Sequence, residues 1–274
     1  MKDNSKPVTG YLSSKGEETM ERGETVITVR NLVKKFGSFV ANDNLTFEVY
    51  RGEIFGFLGA NGAGKTTAIR ILSGLLQPTS GEVRVAGFDA WKESEMIKKH
   101  IGYMCQKFSL YEDLTVKENI QLYGGIYGMS DELIKERTEA LLEKLRFTEY
   151  KDRLISGLPL GFRQKLAFAV AVLHQPEIVF LDEPTGGVDP ITRRQFWEMI
   201  YETADSGITV FVTTHYMDEA EYCDRVSIMS EGRIVALDTP ENLKKQYNAE
   251  SIEEVFISIA RPDKSSINIL NKNK

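Results

Sequence analysis

Apolar residues follow different rhythms along this chain, and each rhythm predicts a different kind of element. Residues 26–29 and 45–49 alternate apolar and polar, as half-buried strands do, and Phe36-Gly37-Ser38 makes a turn between them. Ile54-Phe55-Gly56-Phe57-Leu58 reads as a fully buried strand, and a helix begins at Thr67-Ala68-Ile69 and is expected to run to about Leu76. Pro78-Thr79-Ser80-Gly81 then turns into a strand at 82–85, followed by a helix over 91–99 and a short strand over 101–106.

The next portion is helical. Thr115-Val116-Lys117-Glu118 is a capping box, in which the Thr side chain caps the helix and the Glu reciprocates three residues on. That helix is expected through about Tyr127. A second follows over 131–145, with Leu133, Ile134, Leu141, Leu142 and Leu145 at helical spacing. Residues from about 108 to 165 thus read as a helical insertion in an α/β chain. Alternation then resumes: helix 162–173, strand 178–181, a helix opened by Asp189-Pro190 and stopped at Gly207, and strands at 208–213 and 226–229. Such βα alternation implies a mostly parallel sheet with ligand loops at the carboxyl ends of its strands. Ser251-Ile252-Glu253-Glu254-Val255-Phe256-Ile257 reads as a short amphipathic helix, either packed on the core or making dimer or regulatory contacts. Residues 1–24 are polar and are expected to be a flexible extension, neither signal peptide nor anchor; the tail after Arg261 carries no signal.

Composition narrows the function classes only a little. The chain has 274 residues, 42% hydrophobic and 27% charged, as in a soluble globular protein. A formal net charge of −6 argues against nucleic acid as the main partner. Cys105 and Cys223 cannot build a disulfide framework and suit a reducing cytosol, as packing residues. With three histidines and no Cys/His spacing, a structural zinc site is not expected.

Candidate chemistry changes the picture far more. Gly59-Ala60-Asn61-Gly62-Ala63-Gly64-Lys65-Thr66-Thr67 is a phosphate loop of the form G-x-x-x-x-G-K-[ST], set between a buried strand and a helix start. Its glycines let successive N–H groups point at one polyphosphate at the positive end of a helix. Lys65 is placed to reach the β- and γ-phosphates, and the Thr66 hydroxyl to hold Mg²⁺. Ile178-Val179-Phe180-Leu181-Asp182-Glu183 ends an apolar strand in two acids at that same sheet edge. One carboxylate suits Mg²⁺ and the other an attacking water, unless they merely cap the following helix. Residues 209–214 repeat the design and end at His215, which either bonds a γ-phosphate or caps the next helix. Gln106 also ends a strand, where it is placed to sense Mg²⁺ or the lytic water.

These features, in this order, together with Leu158-Pro159-Leu160-Gly161-Phe162-Arg163-Gln164, Leu181-Asp182-Glu183-Pro184-Thr185 and Gly187-Val188-Asp189, resemble the ATP-binding-cassette ATPases of ABC transporters over about residues 26–245. The resemblance implies an α/β P-loop NTPase core with a mostly parallel sheet, an N-terminal antiparallel β subdomain and an inserted helical subdomain. An ATPase domain over 25–245 and a C-terminal helix and tail over 246–274 complete the expected organisation. It implies that Phe36 stacks on adenine, the alternative being a core aromatic. The loop residues Gly59, Asn61, Gly62, Ala63, Gly64 and Lys65, with Thr67, bind the phosphates, and Thr66, Gln106 and Asp182 serve Mg²⁺. Glu183 matches the catalytic base, His215 the switch histidine, and Asp189 the loop that crosses a dimer interface. Family members sandwich two ATP molecules between two cassettes, a homodimer or heterodimer. They dock on separate transmembrane permease subunits at the cytoplasmic face of the membrane.

One motif departs from the family. Its Leu-Ser-Gly-Gly-Gln signature aligns here with Pro159 at the serine and Leu160 at the first glycine, leaving Gly161 and the helix N-terminus to meet the partner's γ-phosphate. The Leu-Pro-Leu-Gly form, with Thr213-Thr214-His215-Tyr216-Met217-Asp218-Glu219-Ala220, resembles type-2 exporters. It also leaves room for a regulatory cassette with little hydrolysis. A soluble cassette acting on nucleic acid is disfavoured by the acidity and by the absence of sustained heptads.

Overall fold

The computed structural model describes residues 23–106 and 110–260. The expected N-terminal extension up to residue 22 and the tail from 261 lie outside the described residues. A hairpin opens the fold: β1 (Thr25–Phe36) and β2 (Phe39–Tyr50) pair antiparallel, with Phe36 opposite Phe39 across the turn at Gly37, whose φ is 60°. β4 (Ser80–Val85) pairs with the other edge of β1 and β5 (Phe88–Asp89) with β4, so the first sheet is antiparallel in the order β2-β1-β4-β5.

The second sheet holds the loops that matter for chemistry. Its order is β10-β9-β3-β8-β7-β6, from β3 (Ile54–Gly59), β6 (Ile101–Met104), β7 (Ile178–Asp182), β8 (Thr209–Thr214), β9 (Arg225–Ser230) and β10 (Arg233–Asp238). β9, β3, β8, β7 and β6 run parallel, and β10 returns antiparallel beside β9. Asp182 lies opposite Thr213 and Leu58 opposite Thr214, which brings the ends of β3, β7 and β8 to one edge.

Period-two alternation within these buried strands divides the core in two. Phe55, Phe57 and Phe211 face the antiparallel sheet and meet Phe47 of β2, and Phe180 packs on Phe211, with ring centroids 5.2–6.3 Å apart. Ile54, Leu58, Val179, Leu181, Val210 and Val212 face the other way, toward the helices. These strands thus turn their aromatics toward the antiparallel sheet and their branched aliphatics toward the opposite layer. Each such fully buried side chain is worth about 1.5–3 kcal/mol.

Helices cover both faces. α1 (Lys65–Leu72) and α2 (Ser94–His100) join the aromatic side; α5 (Leu160–Ala171), α6 (Pro190–Asp205) and α8 (Ile252–Ala260) join the aliphatic side. α3 (Val116–Ile126) and α4 (Asp131–Lys144) form the insertion and enter the same core through Val116, Ile120 and Leu142. The capping box at Thr115 is present in full: Glu118 N–H donates to Thr115 Oγ1, and Thr115 N–H to Glu118 Oε2. Asp189 caps α6 by accepting from Ile191 and Thr192 N–H, with Pro190 at the first position.

Several boundaries differ from expectation. α1 ends at Leu72, not Leu76, because Gly74 adopts φ 70° and a Cβ there would lie 2.9 Å from Ser94 O. β6 stops at Met104, short of Gln106, and α2 begins only at Ser94. α5 starts at Leu160, with Pro159 as its N-cap. β10 and α7 (Pro240–Tyr247) were not expected, although Glu231-Gly232, both at positive φ, is a hairpin signal and Thr239-Pro240 a helix start. α8 packs on the core through the fully buried Ile252 and Val255.

Candidate functional site: a phosphate loop facing two acids

β3 delivers the chain into the loop, and the loop's shape depends on glycine. Gly62 and Gly64 take φ 82° and 100°, values that residues with a Cβ rarely adopt. At Gly64 a Cβ would also lie 2.3 Å from Ala41 O. The buried Asn42 side chain donates from Nδ2 to Gly64 O at 3.1 Å, and Gly232 N–H to Ala63 O, so β2 and the β9–β10 turn clamp the loop from outside. Gly59 and Ala63 are buried within this clamp, while Asn61 and Gly62 are exposed.

Lys65, only 4% exposed, spends its ammonium on three oxygens: Gly59 O at 2.7 Å, Ala60 O at 3.2 Å and Glu183 Oε1 at 3.4 Å. A buried ammonium needs such partners, since an unpaired one is heavily penalised. Next to it, Thr66 Oγ1 donates to Asp182 Oδ1 at 3.4 Å, and Thr213 Oγ1 donates to the same oxygen at 2.7 Å. Burial pushes the Asp182 carboxyl above the ordinary carboxylate range; the two hydroxyls and Lys65 oppose that shift, and the Glu183 charge adds to it.

Successive residues of a strand face opposite sides, yet Asp182 and Glu183 meet adjacent residues of one loop. The backbone resolves this by turning left-handed at Glu183, φ 48°, where its N–H donates to Thr213 Oγ1 at 3.0 Å. That conformation costs a non-glycine residue about 1–2 kcal/mol. The Glu183 carboxylate then collects the remaining groups: Gln106 Nε2 donates to Oε2 at 2.9 Å, and His215 Nδ1 lies 3.1 Å from the same oxygen. Lys65, Gln106, Glu183 and His215, scattered over the chain, form one cluster.

A cleft of about 390 Å³ adjoins this cluster, lined by Asn61, Gly62 and Gly64 through Thr67, by Gln106 and Glu183, and by Phe39 and Ala41. Phe36, the expected base-stacking aromatic, does not line it. Its ring is half exposed at the hairpin end, with Lys34 Nζ 4.9 Å from the centroid. Phe39, its cross-strand partner, does line the cleft and is 64% exposed. Phe39, Asn42 and Thr213 were missed in the sequence; nothing in the local pattern distinguishes them from ordinary strand residues. A larger cleft, about 780 Å³, lies at the opposite ends of the strands around Tyr50, Glu53, Asp224 and Arg225, away from the loop.

Gly161 and Asp189 lie outside the cluster and beside each other. A Cβ on Gly161 would lie 2.6 Å from Thr192 Cγ2, and Thr192 Oγ1 donates to Asp189 Oδ2 at 2.6 Å. Those bonds, led by that of the Thr192 side chain, hold the Asp189 carboxyl below its usual range. Gln164 Nε2 donates to Gly186 O at 3.0 Å, tying α5 to the turn before α6. No side chain caps the start of α5.

The strand–loop–helix cradle set against acidic strand ends defines a phosphate-loop NTPase fold. Residues 42–186 match the ABC transporter family model, and the chain belongs to that family. It is 48% identical over 242 residues to the probable multidrug ABC transporter ATP-binding protein YbhF of Escherichia coli (strain K12), covering 86% of this chain but 42% of that protein, so it spans less than half of that relative's length. It is 35% identical to the daunorubicin resistance ATP-binding protein DrrA3 of Streptomyces coeruleorubidus, over 85% of this chain and 74% of that protein. A solved ATP-binding subunit of an ABC transporter superposes with a TM-score of 0.79 at 28% identity, covering 86% of this chain and all of that one. A dimeric cassette in a post-hydrolysis state with ADP and phosphate superposes with a TM-score of 0.71 at 26% identity, covering 78% of this chain and 98% of that one. Among the described residues no helix is long and apolar enough to cross a membrane.

Proposed function

We propose that this chain binds ATP and hydrolyses it to power a membrane exporter, as one of two cassettes docked on separate transmembrane subunits at the cytoplasmic face. The observation that carries this reading is the Glu183 carboxylate, bonded by Gln106 and flanked by Lys65 and His215 at the edge of a phosphate-loop cleft. The loop amides with Thr67, together with the Lys65 ammonium, bind the phosphates at the N-terminus of α1. Glu183 accepts the proton of the attacking water, while Gln106 holds its carboxylate in place and His215, beside it, meets the γ-phosphate side of that water.

Mg²⁺ takes hard oxygen ligands alongside phosphate oxygens. The Thr66 hydroxyl and the buried Asp182 carboxyl, 3.4 Å apart, are donors of that kind, with the Gln106 side chain in the cleft nearby. Asp182 raised by burial is also a group that gains from a neighbouring cation. Bound there, the ion supplies neutralisation of charge on the β- and γ-phosphates.

Gly161, Asp189 and the uncapped start of α5 face no part of this chain's own cleft, which supports a second cassette, identical or different, as their counterpart. Export is supported by the Leu158-Pro159-Leu160-Gly161 form, which resembles exporters, and by relatives named for multidrug and drug-resistance transport. The second reading, an ATP-binding cassette that regulates a partner with little hydrolysis, draws on Pro159, which brings no hydroxyl to the α5 N-cap.

Calorimetric ATP titration beside phosphate release separates the two. Wild type is expected to bind and release phosphate, while Glu183→Gln binds ATP and releases none. Stoichiometric binding without turnover, alone and beside its membrane partner, supports the regulatory reading instead.

A further inference from the structure

Behind the catalytic cluster lies a fully buried carboxylate to which the proposed chemistry assigns no role. Glu219 has no exposed surface, and both of its oxygens are engaged. Thr185 Oγ1 donates to Oε1 at 2.5 Å, Thr214 Oγ1 donates to Oε2 at 2.6 Å, and Arg193 Nε stands 3.7 Å from Oε1. These three partners come from three segments. Thr185 is two residues past Glu183, Thr214 directly precedes His215, and Arg193 lies one helical turn past Asp189, to whose carbonyl its N–H donates at 2.9 Å.

Arg193 also reaches His215 by a second route. Its guanidinium lies 4.2 Å from the Tyr216 ring centroid, and that ring packs against the His215 imidazole with centroids 4.2 Å apart. Asp218 Oδ2, 3.5 Å from Arg193 Nη1, completes the charge around the guanidinium. Tyr216 N–H donates to Thr214 Oγ1 at 3.0 Å, so the hydroxyl that bonds Glu219 also fixes the backbone after His215. Both chain neighbours of His215 are therefore held, Thr214 by Glu219 and Tyr216 by Arg193.

We propose that Glu219 and Arg193 are positioning residues that hold the segments carrying Glu183, His215 and Asp189 in one register, so that the His215 ring is placed by the same charge pair that anchors the start of α6. The proposal rests on the role given to His215 above. A planar guanidinium suits this task, since it stacks on an aromatic face and pairs with carboxylates at its edge at once. Hydroxyl-to-carboxylate bonds of 2.5–2.6 Å are of the short, charge-assisted kind that fixes geometry.

The test uses Arg193→Gln and Glu219→Gln in the full chain, with turnover referred to the concentration of chains that bind ATP, so that partial unfolding is counted out. Three histidines make the imidazole signals resolvable by NMR, and His215→Ala assigns the third. Each variant is expected to lower kcat by about tenfold or more with KM for ATP within about twofold, as loss of a transition-state arrangement does. Each is also expected to move the His215 signal while leaving those of His100 and His174 in place. An unchanged kcat, or a lowered kcat with an unmoved His215 signal, overturns the proposal. Normal turnover by His215→Ala would instead refute the role of His215, a different failure that the kcat of that variant alone reports.

Discussion

The phosphate-loop edge and the α5–α6 edge of this molecule are built in opposite ways. At the first, side chains far apart in sequence are buried together: Lys65, Asp182 and Thr213 are almost inaccessible, and Glu183 gathers three partners. At the second, Gly161 and Asp189 start neighbouring helices; Gly161 packs close against Thr192, and the Asp189 carboxylate accepts from Thr192 rather than facing the cleft. One edge is a site assembled by its own fold, and the other is a surface braced to be presented. Under the proposed function, the two edges would be complementary halves of sites shared between two cassettes.

The largest expected effect breaks the assembled edge. Glu183→Gln should lower kcat by about 10²–10⁴-fold, the range for losing a general base, with ATP affinity retained; steady-state phosphate release and calorimetry check both. Gly161→Ala attacks the presented edge. A Cβ 2.6 Å from Thr192 Cγ2 overpacks the α5–α6 contact and should cost about 1–3 kcal/mol of stability in thermal unfolding, while the isolated chain's ATP affinity stays unchanged.

The hairpin aromatics sharpen the comparison from within the first edge. If Phe39 meets the base, Phe39→Ala weakens ATP binding by about 1–3 kcal/mol, the scale of base–aromatic stacking, and leaves tripolyphosphate binding alone. Phe36→Ala, changing a ring outside the cleft, should have the smaller effect; the reverse order restores the family assignment. Smallest is a stability effect at Asp182. Its folded pKa is raised, so its contribution is fully present below the unfolded value and is lost as pH rises through the folded one. Asp182→Asn removes that loss, and its thermal midpoint at neutral pH should exceed the wild type's even as Mg²⁺-dependent turnover disappears.

How much of this was legible in the sequence depended on whether a residue's neighbours are local. The capping box at Thr115 and the Asp189-Pro190 helix start are satisfied by residues within a few positions, the phosphate loop is one contiguous motif, and all three stand where the pattern put them. β10 and α7 were overlooked, though the Glu231-Gly232 turn and Thr239-Pro240 carry standard signals. The roles of Phe39, Thr213 and Glu219 were not legible, because their surroundings come from other segments: Phe39 shares a cleft with the loop, Thr213 meets Asp182 only through β7–β8 register, and Glu219 meets Thr185 and Arg193. The left-handed turn at Glu183, which brings both acids to one loop, likewise has no mark in the sequence.

A mixing experiment tests the central claim most directly. Lys65→Ala spoils the assembled edge and keeps the presented one; Gly161→Asp does the reverse. Each alone should be inactive, and an equimolar mixture should recover turnover, because one composite site in the mixed pair is intact. A silent mixture, beside wild-type turnover per chain that does not change with protein concentration, would show that each chain completes its own site and would contradict the account.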